Sequence, residues 1–149
     1  MNARKVAPLS CVVALLVAAP LVCFAGSGAH WKITVKNPTT HPVEVIAWYM
    51  LASLEPERVE ANLIDIAAGG QYIFTVPGSL CPSGVTGRIY WDKYGFYDLQ
   101  NTNCFGNRTV GGELPRTSCC SNITFEVCRK QGPSDDSTIS NGDYGFCKK

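Results

Sequence analysis

The sequence predicts an all-β domain, an antiparallel β-sandwich of six to eight short strands stapled by about three disulfides. Three observations carry that prediction. Short runs rich in β-branched and aromatic residues recur between Gly, Pro and Asn signals, as in sandwiches. The chain beyond residue 29 is about 120 residues, which fits one domain able to bury roughly two-thirds of its unfolded surface. Finally, Cys81, Cys104, Cys119, Cys120, Cys128 and Cys147 form an even set downstream of an export signal, the mark of an oxidising compartment.

The export signal occupies 1–29. Arg4 and Lys5 supply a positive start, Val12 to Phe24 an apolar run, and Ala25 to Ala29 small residues, with cleavage expected after Ala25 or Ala29. The run contains Pro20 and falls short of the about 20 apolar residues of a membrane span, so no anchor is expected after cleavage. A lipoprotein reading of Cys23 is disfavoured by the branched Val22 before it, and Cys11 and Cys23 leave with the leader. Residues 30–130 are then expected to be the sandwich, and 131–149 a polar tail pinned by Cys147.

Trp31 to Lys36 alternates, with Trp31, Ile33 and Val35 on one face, and reads as a half-buried strand. Asn37 to Pro42 contains two prolines and reads as a turn. Val43 to Leu51 is a strand apolar on both faces after Glu44, and the two strands are expected to pair as a hairpin. Ala52 to Asn62 reads as a loop in which Pro56 is placed to begin a helical turn. Leu63 to Ile66 and Gln71 to Val76 flank Gly69-Gly70 as a hairpin or a sheet-to-sheet corner, with Tyr72, Phe74 and Val76 sharing a face. Val85 to Trp91 is a further strand, leading into a hairpin that turns at Lys93 to Gly95. Gln100 to Ser121 is loop-rich, and three cysteines in or beside it would tie it down. Ile123 to Cys128 is the last strong strand, with Ile123, Phe125 and Val127 inward. Gln131 to Asp143 is polar, and the aromatics Tyr144 and Phe146 precede Cys147.

Fifteen pairings of six cysteines are open to sequence alone. The adjacent Cys119 and Cys120 are expected to take different partners, and a Cys128–Cys147 bridge would close a loop of about 20 residues. No CxxC spacing points to metal, and no metal site or cofactor is expected.

From Trp31 to Cys104 the order of features resembles small thaumatin-like proteins. The first strand Ile33-Thr34-Val35-Lys36-Asn37, the Trp-bearing second strand Val43 to Tyr49, the turn Ala68-Gly69-Gly70-Gln71-Tyr72, and the segment Gly87-Arg88-Ile89-Tyr90-Trp91 carry the likeness. It implies a secreted β-sandwich. The chain lacks a cysteine between the first two strands and has fewer cysteines than that family, and no acidic cleft carries over to named residues.

Function is less legible. From His30 onward eleven Lys and Arg face twelve Asp and Glu, a formal charge of −1, which excludes the basic footprint of a nucleic-acid binder and any polybasic membrane patch. His30 and His41 flank no nucleophile, and neither GxSxG nor HExxH occurs. Glu55, Glu57 and Glu60, or Asp92 and Asp98, are the carboxylates from which a glycan hydrolase would be built. The stronger signal is the aromatic hairpin: Tyr94, Phe96 and Tyr97, with Asp98, form a candidate patch for stacking on sugar or anchoring a protein. Tyr90 and Trp91 are expected mainly in the core. The expectation is a secreted or periplasmic binding protein whose partner is an extracellular protein or a glycan. The alternatives are a surface-assembly subunit joined through strand edges and the carboxylate-based hydrolase. Asn107-Arg108-Thr109 and Asn122-Ile123-Thr124 fit the glycan-acceptor pattern.

Overall fold

The computed structural model of the chain describes residues 30–51, the backbone of 58–60, 63–91, 95–109, 117–130 and 139–149. The proposed leader and the turn residues Asp92, Lys93 and Tyr94 lie outside the described residues. The strands in chain order are β1 (Lys32–Lys36), β2 (Val43–Leu51), β3 (Arg58–Glu60), β4 (Ile64–Ile66), β5 (Gln71–Thr75), β6 (Leu80–Tyr90), β7 (Phe96–Asp98), β8 (Asn101–Asn103), β9 (Arg108–Thr109), β10 (Ile123–Arg129) and β11 (Tyr144–Lys148). No helix occurs among the described residues.

Two sheets face each other. The smaller has the order β11-β10-β1-β5, and the larger runs β3-β2-β6-β8-β9, with β4 also paired to β2 and β7 to β6. Among the described strands every pairing is antiparallel except that of β1 with β10, which run parallel. The core lies between the sheets and follows the two-residue period of each strand. Ile33 and Val35 of β1, Phe125 of β10 and Phe146 of β11 are fully buried against Val43, Val45 and Val85 of the other sheet. Each such side chain contributes roughly 1.5–3 kcal/mol on burial.

The expected hairpin of the first two strands does not form: β1 and β2 belong to different sheets. Residues 37–42 carry the chain across the sandwich, and β1 is already bonded on both edges, by β5 and by β10. The crossing is clasped by Asn37, whose fully buried side chain donates from Nδ2 to the carbonyls of His41, Ile66 and Ala67 and accepts at Oδ1 from the Thr39 amide and hydroxyl. Of the two readings of residues 63–76, the corner holds. β4 pairs in the larger sheet and β5 in the smaller, with Gly69 at φ +69°, a conformation glycine adopts without steric cost.

Within the segment expected as a loop with a helical turn, 58–60 form a strand against β2; the rest lies outside the described residues. The loop-rich stretch contains two short strands, β8 and β9, and with β3 they bring the described strands to eleven against the six to eight expected. It is fastened by Cys81–Cys120 and Cys104–Cys119, so the adjacent cysteines do take different partners. Cys128–Cys147 joins β10 to β11. Disulfides of this kind belong to an oxidising compartment. The C-terminal residues are more than a pinned tail. Tyr144 to Lys148 form a strand because Phe146 has a place in the core, and Gly145 bridges Gln100 at the edge of the larger sheet.

Candidate functional site

The outward residues of β2, β6 and β7 bring acidic, basic, hydroxyl and aromatic side chains onto one face of the larger sheet. Antiparallel register sets Glu44 opposite Arg88, Ile46 opposite Thr86, Arg88 opposite Asp98 and Tyr90 opposite Phe96. Between them lies a groove of about 450 Å³. Glu44, Thr86, Arg88, Asp98 and Asn101 supply its polar lining, and Ile46, Leu63 and Leu99 its apolar lining.

These side chains hold one another. The Tyr90 hydroxyl donates to Glu44 Oε2 at 3.0 Å. That bond, ahead of any burial, pushes the Tyr90 phenol above its ordinary pKa, because the bond to the carboxylate is lost on ionisation. Arg88 Nε lies 3.3 Å from Asp98 Oδ1, and its guanidinium stands 4.5 Å from the centre of the Phe96 ring. Tyr90 meets Phe96 edge-on. Trp48 Nε1 donates to Thr86 Oγ1 at 2.8 Å. An exposed ion pair such as Arg88–Asp98 contributes about 0–1 kcal/mol to stability. It fixes the orientation of the guanidinium and leaves Phe96 52 % exposed.

Strand alternation divides the aromatic patch expected from sequence. Phe96 and Asp98 are exposed on the outer face, whereas Tyr97 is half-buried and packs against the core. Tyr94 lies outside the described residues. Tyr90 and Trp91, expected together in the core, also separate: Trp91 is buried and stacked on His41 at 3.7 Å, while Tyr90 turns outward. Glu44, Thr86, Arg88 and Leu63 were not singled out by sequence reasoning. Their signal was the period of two along β2 and β6, but that period names a shared face only once the register between the strands is known.

Of the five carboxylates from which a hydrolase would be built, Asp98 is paired with Arg88, Glu60 is described only in its backbone within β3, and Glu55, Glu57 and Asp92 lie outside the described residues. The groove contains a second carboxylate, Glu44, already accepting from Tyr90. Among the described residues no cluster of three His, Cys, Asp or Glu side chains is placed to hold a metal ion. The arrangement is suited to holding a neutral polar ligand. Carboxylates accept from hydroxyls, Arg88 and Thr86 donate, and Phe96 and Leu63 offer apolar surface at the side.

No protein-family model matches the chain, and no curated protein sequence matches it. Among solved structures it is similar to pneumolysin at a TM-score of 0.40 and 9 % identity, over 80 % of this chain and 23 % of that one. The chain thus spans about a quarter of that protein's length.

Proposed function

We propose that this chain is a secreted or periplasmic binding protein that holds a glycan in the groove on the outer face of its larger sheet. One observation carries the reading: exposed Phe96 stands beside a groove lined by Glu44, Thr86, Arg88 and Asp98. A sugar ring has an apolar face and a rim of hydroxyls. An aromatic ring matches the first, and carboxylates with a guanidinium match the second. The leader-like residues 1–29 and the three disulfides support export, and so does the resemblance of Trp31 to Cys104 to secreted thaumatin-like proteins.

The test is a glycan array probed with the oxidised full chain, followed by titration of the best ligand. Phe96→Ala should weaken binding by roughly tenfold or more, the loss of about 1.4 kcal/mol expected of an aromatic contact. The contacts of Phe96 with Arg88 and Tyr90 lie at the surface, so the variant should stay folded, with a melting temperature lowered by a few degrees at most. Binding that survives both Phe96→Ala and Asp98→Asn overturns the assignment. A chain that binds no glycan but captures an extracellular protein through Phe96 would keep the surface and change the partner.

A further inference from the structure

We infer that β5 is a self-pairing edge, through which two copies of this chain join their smaller sheets about a two-fold axis at Ile73. Among the described residues only β1 pairs with β5, in an unbroken register from Lys36–Gln71 to Lys32–Thr75. Hydrogen bonds just beyond both ends fix the phase: Asn37 N donates to the Gly70 carbonyl and Val76 N to the Trp31 carbonyl. Antiparallel strands alternate bonded and non-bonded pairs. Residues 70, 72, 74 and 76 therefore spend their main-chain groups on β1, and the N–H and C=O of Gln71, Ile73 and Thr75 point to the open side.

That open row is complementary to itself. Turned about Ile73, Ile73 meets Ile73 of the second copy and Gln71 meets Thr75. Both are bonded pairs, and on the core side Tyr72 comes beside Phe74. Tyr72 and Ile73 are 40 % and 46 % exposed, large apolar side chains left uncovered in one copy. Edge strands usually discourage such pairing with charge, proline or a bulge; Gln71–Thr75 has none of these. The flanking lysines do not prevent it. Lys36 and the second copy's Lys32 would be three strand spacings apart, about 14 Å, beyond the about 8 Å screening length of physiological salt. The edge is separate from the Phe96 groove, so either assignment can fail alone.

The test is sedimentation equilibrium of the oxidised full chain from about 1 µM to about 1 mM, the range suited to a contact at the small end of interface sizes. A monomer–dimer equilibrium is expected. Ile73→Lys and Ile73→Glu should each weaken it at least tenfold while melting as the wild type does at concentrations where it is monomeric, and an equal mixture of the two should pair again as a heterodimer. Hydrogen exchange on the wild type gives a second readout: amides 71, 73 and 75 gain protection with concentration, while 72 and 74 are protected throughout. A chain monomeric at every concentration, a dimer indifferent to Ile73→Lys, or a mixture that fails to pair overturns the inference. So does a monomer whose edge instead takes up an extended peptide of another protein.

Discussion

Asn37 is where a single substitution should most damage the fold. Its two Nδ2 protons are shared among three carbonyl oxygens, of His41, Ile66 and Ala67, at 2.8, 3.2 and 3.1 Å. The Ile66 bond is buried and the other two are partly buried. In Asn37→Ala, leaving a buried acceptor unpaired costs about 1–3 kcal/mol, and each partly solvated one costs less. The vacated space adds a cavity term. The sum is about 2–4 kcal/mol, a large share of the about 5–15 kcal/mol of a typical domain. Urea denaturation at neutral pH with disulfides intact measures it. Asn37→Asp sharpens the test, since it turns an oxygen toward carbonyl oxygens. It should be worse than alanine at pH 7 and recover as pH falls, because burial among acceptors raises the new carboxyl's pKa and its protonated form supplies a donor. A loss below about 1 kcal/mol for Asn37→Ala would refute the claim that this side chain clasps the crossing between sheets.

Three further outcomes are expected. Replacing both Cys128 and Cys147 by Ala, which opens a bridge of sequence separation 19, should cost about 3 kcal/mol in chemical denaturation, and the Asp98 and Gln100 amides should exchange faster. In Gly145→Ala the new Cβ would come 2.7 Å from Gln100 Cβ, so a loss of about 1–3 kcal/mol is expected from overpacking, read by thermal melting. Burial pushes the Tyr49 phenol up to about 12, with the neighbouring Tyr72 adding to the shift. A raised folded pKa gives stability that is intact below the unfolded value near 10 and is lost as pH climbs towards 12. Melting temperatures should therefore drop between pH 10 and 12, and drop less in Tyr49→Phe.

The residues whose role depends on their own strand were legible in the sequence. Ile33, Val35, Ile123, Phe125 and Val127 are inward as their alternation requires, because that period belongs to the backbone itself. The pairing of strands was not legible. Nothing in Trp31 to Leu51 distinguishes a hairpin from a crossing, since the deciding bonds run from Asn37 to carbonyls 29 and 30 residues away. The candidate site suffers in the same way. Phe96 and Asp98 were visible as an aromatic, acidic hairpin, but Glu44 lies far back in the chain and joins them only through the β2–β6 and β6–β7 registers. Tyr97 and Phe96 part because adjacency in sequence puts strand residues on opposite faces.

One wall of the groove, β7, depends on the end of the chain as well as on its own sheet. β7 has three residues and pairs only with β6 among the described strands, too short to be rigid alone. Its second support comes from across the sandwich: the Asp98 amide donates to Asn141 Oδ1 at 2.9 Å, and the Asp98 carbonyl accepts from Gly142 N at 2.9 Å. Gln100 continues the contact, donating from Nε2 to the Gly142 carbonyl and from its amide to the Tyr144 carbonyl. Tyr144 opens β11, and Cys147 ties that strand to β10. The wall carrying Phe96 and Asp98 is therefore held by a chain of bonds that ends at a disulfide. Core burial fixes β2 and β6 without help from that bridge, while β7 borrows its position from it. Local opening begins where apolar contacts are few, so loss of the Cys128–Cys147 link should reach the groove before it reaches the core.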